Sequence, residues 1–240
     1  MLGEEYAVVM DEGAIHEHYA TGYERERLAR GSSRIEFARI KELLRRFLPS
    51  APATVLDVDG GPGAYAAWLA DECYQVHLVD ALPLHVEQAA AAARGRDPSF
   101  TVALGDARSL AEADLSWDAV LMLGPLYHLI ERDERVRALA EAKRVLHPGG
   151  VVTAAAISRF ASLLDGLESG WLGDPAFDAI VERDLAEGKH ENPTDRPEWF
   201  TTAFFHDPDV LRAEVDDAGL ELEGALGYRR PRLATVGVVG

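Results

Sequence analysis

Five short apolar runs between residues 54 and 156, each separated from the next by a glycine turn or a helix-forming stretch, constrain the fold more than any other feature. The first is Thr54-Val55-Leu56-Asp57-Val58. The others are Val76 to Asp80, Phe100 to Leu104, Trp117 to Leu123 and Val151 to Ala156. Strands that are apolar throughout, rather than alternating, have both faces covered, and helices between them supply the cover. The pattern therefore predicts an α/β chain built as a three-layer α/β/α sandwich around a mostly parallel sheet.

The intervening segments fit that plan. Phe37, Ile40, Leu43, Leu44 and Phe47 recur at helical spacing, which predicts a helix from Ile35 or Phe37 to Leu48 that Pro49 and Pro52 end. Ala64 to Ala70, Leu84 to Ala93 and Arg132 to Leu146 are further helices. A last one runs from Asp207, its N-cap, through Pro208 to Ala218, with Gly219 closing it. Residues 158–206 break the rhythm: they are mostly helix-prone, rich in aromatic residues, and far longer than the ~2–6 residues that usually join neighbouring elements. They read as an inserted cap. The chain is thus expected to be one domain over 1–240, with an N-terminal helical cap (1–50), a ligand-binding core (51–157), the inserted cap (158–206) and a C-terminal helix with edge strands (207–240).

Charge narrows the partners. The formal net charge is −17, which repels a nucleic-acid backbone, so no nucleic acid is expected as partner. One cysteine, Cys73, allows no internal disulfide and suits a reducing compartment. No run approaches the roughly 18 apolar residues of a membrane span, and Met1 to Met10 does not read as a leader. A cytoplasmic protein, monomer or homodimer, with no membrane partner and no metal site is the expectation.

The chemistry concentrates at strand ends. Gly60, Gly61 and Gly63 follow the first strand, where a glycine turn lets a ligand approach backbone N–H groups at a helix N-terminus. Asp80 ends the second strand, 17 residues after Gly63, where a carboxylate can accept both ribose hydroxyls of a nucleoside. Asp106 ends the third, placed to accept from an adenine amino group, with the Ala107 N–H beside it for a ring nitrogen. The glycine turn and the strand-end acid also occur in nicotinamide-dependent oxidoreductases, which remain an alternative on these features alone.

With these motifs the sequence resembles the class I S-adenosylmethionine-dependent methyltransferases, from Ile35 to about Gly219. It is most similar to bacterial small-molecule members carrying Gly-Pro-Leu-Tyr-His-Leu after the fourth strand, here Gly124 to Leu129. Val55 to Gly63, with Asp57 inside it, looks like their first motif, and Arg144 to Gly150 resembles their Leu-x-Pro-Gly-Gly turn before the fifth strand. The resemblance implies a Rossmann-like sheet of seven strands, the last antiparallel, and methyl transfer to a small molecule. It implies Asp57 and the glycine turn at the cofactor's methionine portion, Asp80 at the ribose, and Asp106 and Ala107 at the adenine. Met122 and Leu123 would face the transferring methyl. The Ile35 to Leu48 helix, with Arg39, Tyr19 and Tyr23, would close over the methionine end; Arg39 would pair with the cofactor carboxylate or with a neighbour on its own helix.

Three positions depart from the family. Asp59 stands where the family has glycine, putting bulk and charge beside the cofactor carboxylate. Cys73 stands at another glycine position and reads as a small buried thiol. The ending from Gly227 to Leu233 does not look like the family's last hairpin, although Thr235 to Val239 can supply an edge strand. Because a sulfonium methyl is already activated, an enzyme mainly needs to align the acceptor and exclude water. His128 is the first candidate for a base and Tyr127 the second, with His190, His206 and Glu191 on the cap behind them; orienting its loop is the equal alternative for His128. A protein that binds the cofactor but has lost catalysis is the other reading.

Overall fold

The computed structural model describes residues 33–226 and 235–239. Among the described residues nine strands form one sheet: β1 (Thr54–Val58), β2 (Gln75–Asp80), β3 (Thr101–Leu104), β4 (Trp117–Met122), β5 (Leu146–Ser158), β6 (Lys189–His190), β7 (Ala203–His206), β8 (Leu222–Leu226) and β9 (Thr235–Val239). The main order is β3-β2-β1-β4-β5, all parallel, continued by β9 antiparallel to β5 and β8 antiparallel to β9. That is the expected seven-stranded, mostly parallel sheet. The remaining two strands belong to the insert: β7 pairs in parallel with the last two residues of β5, and β6 pairs antiparallel with β7.

The helices are α1 (Ser33–Phe47), α2 (Ala64–Asp71), α3 (Pro83–Ala93), α4 (Pro125–His128), α5 (Arg132–Val145), α6 (Ala161–Ser169), α7 (Pro175–Glu187) and α8 (Pro208–Asp217). Strand alternation divides the core between the two faces. Leu56, Val58, Val120, Met122, Val152 and Ala154 meet Ala138, Leu139 and Ala142 of α5 and Leu211 and Val215 of α8. Val55, Val76, Leu78, Ala119 and Leu121 meet α1, α2 and α3 through Ile40, Leu44, Ala66, Leu69 and Ala89. Burying each large aliphatic side chain contributes about 1.5–3 kcal/mol, so both layers are held by the same apolar strands. Helix α1 therefore packs in a layer of the sandwich rather than standing over the strand ends as a cap.

Two expectations need correcting. Gly227 to Leu233 lie outside the described residues, but β8 before them pairs antiparallel with β9 after them, with Leu222, Gly224 and Leu226 turned one way and Glu223 and Ala225 to solvent, a half-covered strand pattern. Thr235–Val239 is not the edge but lies between β5 and β8, as suits a run without charges. Cys73 is exposed and adopts φ +69, so the position favours glycine for its left-handed backbone and not for want of space.

A buried polar cluster fastens the insert to the core. Arg135 of α5 donates from Nε and Nη2 to Glu214 of α8 (2.6–3.1 Å) and from Nη1 to the Leu129 and Ile130 carbonyls. His206, at the end of β7, sits 3.1 Å from the other side of the Glu214 carboxylate. Burial alone would push the Glu214 carboxyl up, but hydrogen bonds from His206 and Arg135 outweigh it and hold it low. The Phe204 ring lies 3.5 Å under the guanidinium. His206 is thus buried and bonded within the cluster that anchors the insert.

Candidate functional site

In a sheet ordered β3-β2-β1-β4-β5 the strand order reverses between β1 and β4, and the crevice outside their carboxyl ends is where such sheets take ligands. The glycine turn opens there. Gly61 and Gly63 have φ +56 and +86, in the region that glycine enters without penalty. A Cβ on Gly60 would strike Leu78 at 2.7 Å and the Asp57 carboxyl at 2.8 Å, whereas over Gly61 the space is open. The turn is tight on its inner side and clear on its outer side, as a ligand cradle requires.

Asp80 is locked into that turn. Its Oδ2 accepts from the Gly61 N–H and its Oδ1 from the Leu82 N–H, both at 2.8 Å, while Nδ1 of His85 lies 3.2 Å from each oxygen. The sequence reading placed the Gly61 amide toward a ligand; instead it holds the strand-end acid, and the Gly63 amide bonds the Gly60 carbonyl. His85, at the start of α3, was not singled out from the sequence. A histidine five residues past a strand-end acid, on the first turn of the next helix, is the signal that would have found it.

Asp57 and Asp59 complete an acidic rim. Asp57 is 1% exposed, and among the described residues its carboxyl has at most a weak hydrogen bond, from the Ala66 N–H. Burial, and then the charge of Asp80, push its pKa up to about 7, against a weaker downward pull from the Ala66 N–H. Asp59, half-buried at φ +60, extends its Oδ2 toward Gly124, where a Cβ would come within 2.3 Å of it. Burial first, then Asp80, push its pKa up to about 8; His85 pulls it down, and Asp57 and Asp106 add to the rise.

Asp106 lies past the end of β3 beside Ala107, as expected, but its carboxylate is engaged by its own neighbour. Arg108 donates to it from Nε (2.9 and 3.1 Å), Nη2 (2.6 Å) and the backbone N–H (2.8 Å), and reaches Glu134 at 2.6 Å. Those hydrogen bonds hold the Asp106 carboxyl below its ordinary range. Its remaining lone pairs, not the whole carboxylate, are what a ligand amino group would meet.

Several candidates sit differently from the sequence reading. Met122 is fully buried in the α5/α8 face, because successive strand residues alternate sides; it does not line the crevice. Leu123, on the opposite side, is half-buried. Arg39 is ion-paired with Glu42 one turn along α1, the second of its two expected partners. Tyr19 and Tyr23 lie outside the described residues.

After β4, Tyr127 and His128 occupy the short helix α4. Tyr127 donates its hydroxyl to the Leu123 carbonyl (3.1 Å), meets the His128 ring edge-on at 4.6 Å, and packs against the insert cluster of Ile157, Ala161, Ala203 and Phe205. His190 is buried: its Nδ1 lies 2.8 Å from Asp184, which also accepts from Ser162, and its Nε2 lies 2.9 Å from the Trp199 carbonyl. Glu191 is paired with Arg183. His190 therefore braces the insert. It also lines a small pocket, with room for little more than one water molecule, with Ile157, Ser162, Trp171, Phe200 and Phe205. Phe200, on that wall, adopts φ +71 and ψ −177, a conformation that costs a non-glycine residue about 1–3 kcal/mol. Among the described residues no His, Cys, Asp and Glu group is arranged to hold a metal, and no helix is long and apolar enough to cross a membrane.

Residues 55–150 match the family model described as "Methyltransferase domain". Methyltransferase GfsG of Streptomyces halstedii is 34% identical over 113 residues, a stretch that is 46% of this chain and 40% of that protein. The match thus spans about two fifths of the relative's length. Among solved structures, a protein from Pyrococcus horikoshii OT3 superposes with a TM-score of 0.73 at 20% identity, covering 93% of this chain and 98% of that one. A structure described as a SAM-dependent methyltransferase from Methanosarcina mazei has a TM-score of 0.65 at 21% identity, covering 82% and 95%. The likeness to these structures establishes a Rossmann-like α/β fold.

Proposed function

We propose that the chain is an S-adenosylmethionine-dependent methyltransferase acting on a small molecule. The observation that carries this reading is the hydrogen bond from the Gly61 N–H to Asp80, which ties the glycine turn to the strand-end acid at the point where strand order reverses. The family match over residues 55–150 covers this same region.

The residues present suit the cofactor. Asp80 is positioned to accept from ribose hydroxyls with the lone pairs that Gly61, Leu82 and His85 leave open. The clear space above Gly61 admits a methionine chain, and the buried Asp57 carboxyl supplies an acceptor for its ammonium. Asp106 and Ala107 bound the adenine side. When bound, the cofactor supplies a methyl group already activated on a sulfonium. The protein's part is to align the acceptor and exclude water. His128, half-buried at the end of α4, is the residue placed to take a proton from the acceptor, and Tyr127 joins that helix to the insert. The acceptor would enter beside α4, where Tyr127 packs against the insert. A net charge of −17 argues against a nucleic-acid acceptor. The absence of a disulfide-forming pair is consistent with a cytoplasmic location.

Titration calorimetry with S-adenosylhomocysteine and NAD tests the reading. One-to-one binding of the first with no heat from the second is expected. Binding of NAD alone would favour the oxidoreductase alternative and overturn the proposal.

A further inference from the structure

The segment that joins β6 to β7 holds one residue against its own backbone preference. Phe200 adopts φ +71 and ψ −177, a region that belongs to glycine. Both peptide groups that define this conformation are tied down. Nε2 of His190 lies 2.9 Å from the Trp199 carbonyl, which only accepts, so the ring donates there and fixes the peptide ahead of Phe200. Nδ2 of Asn192 donates to the Phe200 carbonyl at 2.9 Å and fixes the peptide behind it. The Asn192 oxygen accepts in turn from the Thr194 N–H and hydroxyl, at 3.0 and 2.6 Å. The His190 ring is itself fixed by Asp184, 2.8 Å from Nδ1, and by the Phe205 ring, stacked on it at 4.6 Å. Backbone strain persists only where the surroundings over-determine it, and it collects at ligand clamps and switches.

What the strain achieves here is closure. The Phe200 ring packs with Ile157, Ala161, Phe205 and Tyr127, and so joins the insert to α4, the helix that carries His128. The pocket that Phe200 walls has room for little more than one water molecule, so nothing larger enters while the ring stays in place. The other walls include the rings of Trp171, His190, Trp199 and Phe205. Among such walls a flat aromatic group replaces a phenyl ring with the least loss of contact.

We propose that Phe200 is a gate on the acceptor side of the site: His190 and Asn192 latch it shut under strain, and a planar aromatic acceptor opens it by taking the place of its ring. The inference rests on the methyltransferase reading, which puts the acceptor beside α4, and it gives that acceptor a chemical class. The stored strain offsets part of the cost of breaking the latch, so a ligand with modest affinity for the open state shifts the balance. His190 and Asn192 are positioning residues, acting through the two peptide groups that flank Phe200.

Indole is the probe, titrated into protein saturated with S-adenosylhomocysteine and followed by NMR at the Phe200 amide. In the wild type indole should move that resonance. His190→Phe keeps a ring against Phe205 and removes the donor; Asn192→Ala removes the other half of the latch. Each should bind indole about two- to tenfold more tightly, the factor by which losing one hydrogen bond raises the open fraction. Affinity for S-adenosylhomocysteine should not change. A merely structural role would lower Tm in both variants without tightening indole binding, and Asn192→Ala serves if His190→Phe does not fold. Phe200→Gly should unfold at a urea midpoint at or above that of Phe200→Ala, the reverse of the usual order. A midpoint higher for alanine, indole affinity that stays or falls in the latch variants, or a Phe200 amide that indole does not move overturns the gate and leaves the methyltransferase reading standing. S-adenosylhomocysteine that fails to bind the wild type overturns that reading, and with it the assignment of the gate to an acceptor.

Discussion

Replacing Asp57 by asparagine should make the protein's stability less sensitive to pH, and the size of the effect follows from the structure. Asp57 is enclosed, with at most a weak hydrogen bond from the Ala66 N–H among the described residues, and its pKa is pushed up to about 7 by burial and by Asp80. In the unfolded chain an aspartate titrates near ~3.9. Between these values the folded protein holds a proton that the unfolded chain has lost, so this group's contribution to stability is full below about pH 4 and falls as pH rises towards 7. Each pH unit across that interval costs about 1.4 kcal/mol, so the loss from about pH 5 to pH 7 is about 2–3 kcal/mol. Asparagine has no such titration, though its buried amide donor adds a pH-independent cost of about 1–3 kcal/mol. The signal is therefore the slope and not the offset. Urea unfolding of both proteins at half-unit steps from about pH 5 to 8 should show the variant gaining on wild type by about 2–3 kcal/mol as pH rises. A difference that stays flat across that range would refute the placement of Asp57 as a buried, uncompensated acid.

Other changes probe the scaffold around the crevice. Arg135→Ala strands the buried Glu214 carboxylate and should cost about 3–5 kcal/mol in denaturant unfolding, as breaking a buried pair does. Gly188→Ala places a Cβ 2.5 Å from the Phe205 carbonyl at φ +73 and should lower stability by about 1–3 kcal/mol, read as a fall in Tm. Arg108→Gln removes the hydrogen bonds that hold the Asp106 carboxyl down, so its pKa, followed by carboxyl NMR titration, should rise toward the usual ~3.9.

The fold was legible because β1, β4 and the inner part of β5 are buried on both sides, and a strand covered twice leaves a continuous apolar signature. Asp207 could be read as an N-cap for the same local reason: its side chain accepts from the Asp209 N–H two residues away. The β8–β9 hairpin was missed because Leu222 to Leu226 is covered on one side only and its partner begins thirteen residues later, so pairing is fixed by tertiary contact. Site residues divided the same way. Asp80 was visible as the acid that closes an apolar run, but the Gly61 amide that holds it is 19 residues away and is fixed only by the packing of β1 on β2. Met122 shows the opposite failure: resemblance placed it facing the crevice, while strand alternation turns its side chain to the core. Arg135, Glu214 and His206 come from three elements up to 79 residues apart, and no local pattern announces such a cluster.

A structure of the protein crystallised with S-adenosylhomocysteine tests the central claim most directly. The account predicts the ribose hydroxyls within about 2.5–3.0 Å of the Asp80 carboxylate and the amino-acid portion over Gly61, beside Asp57 and Asp59. A ligand whose ribose lies away from Asp80, or which occupies the aromatic cavity of the insert instead of the crevice, would contradict it.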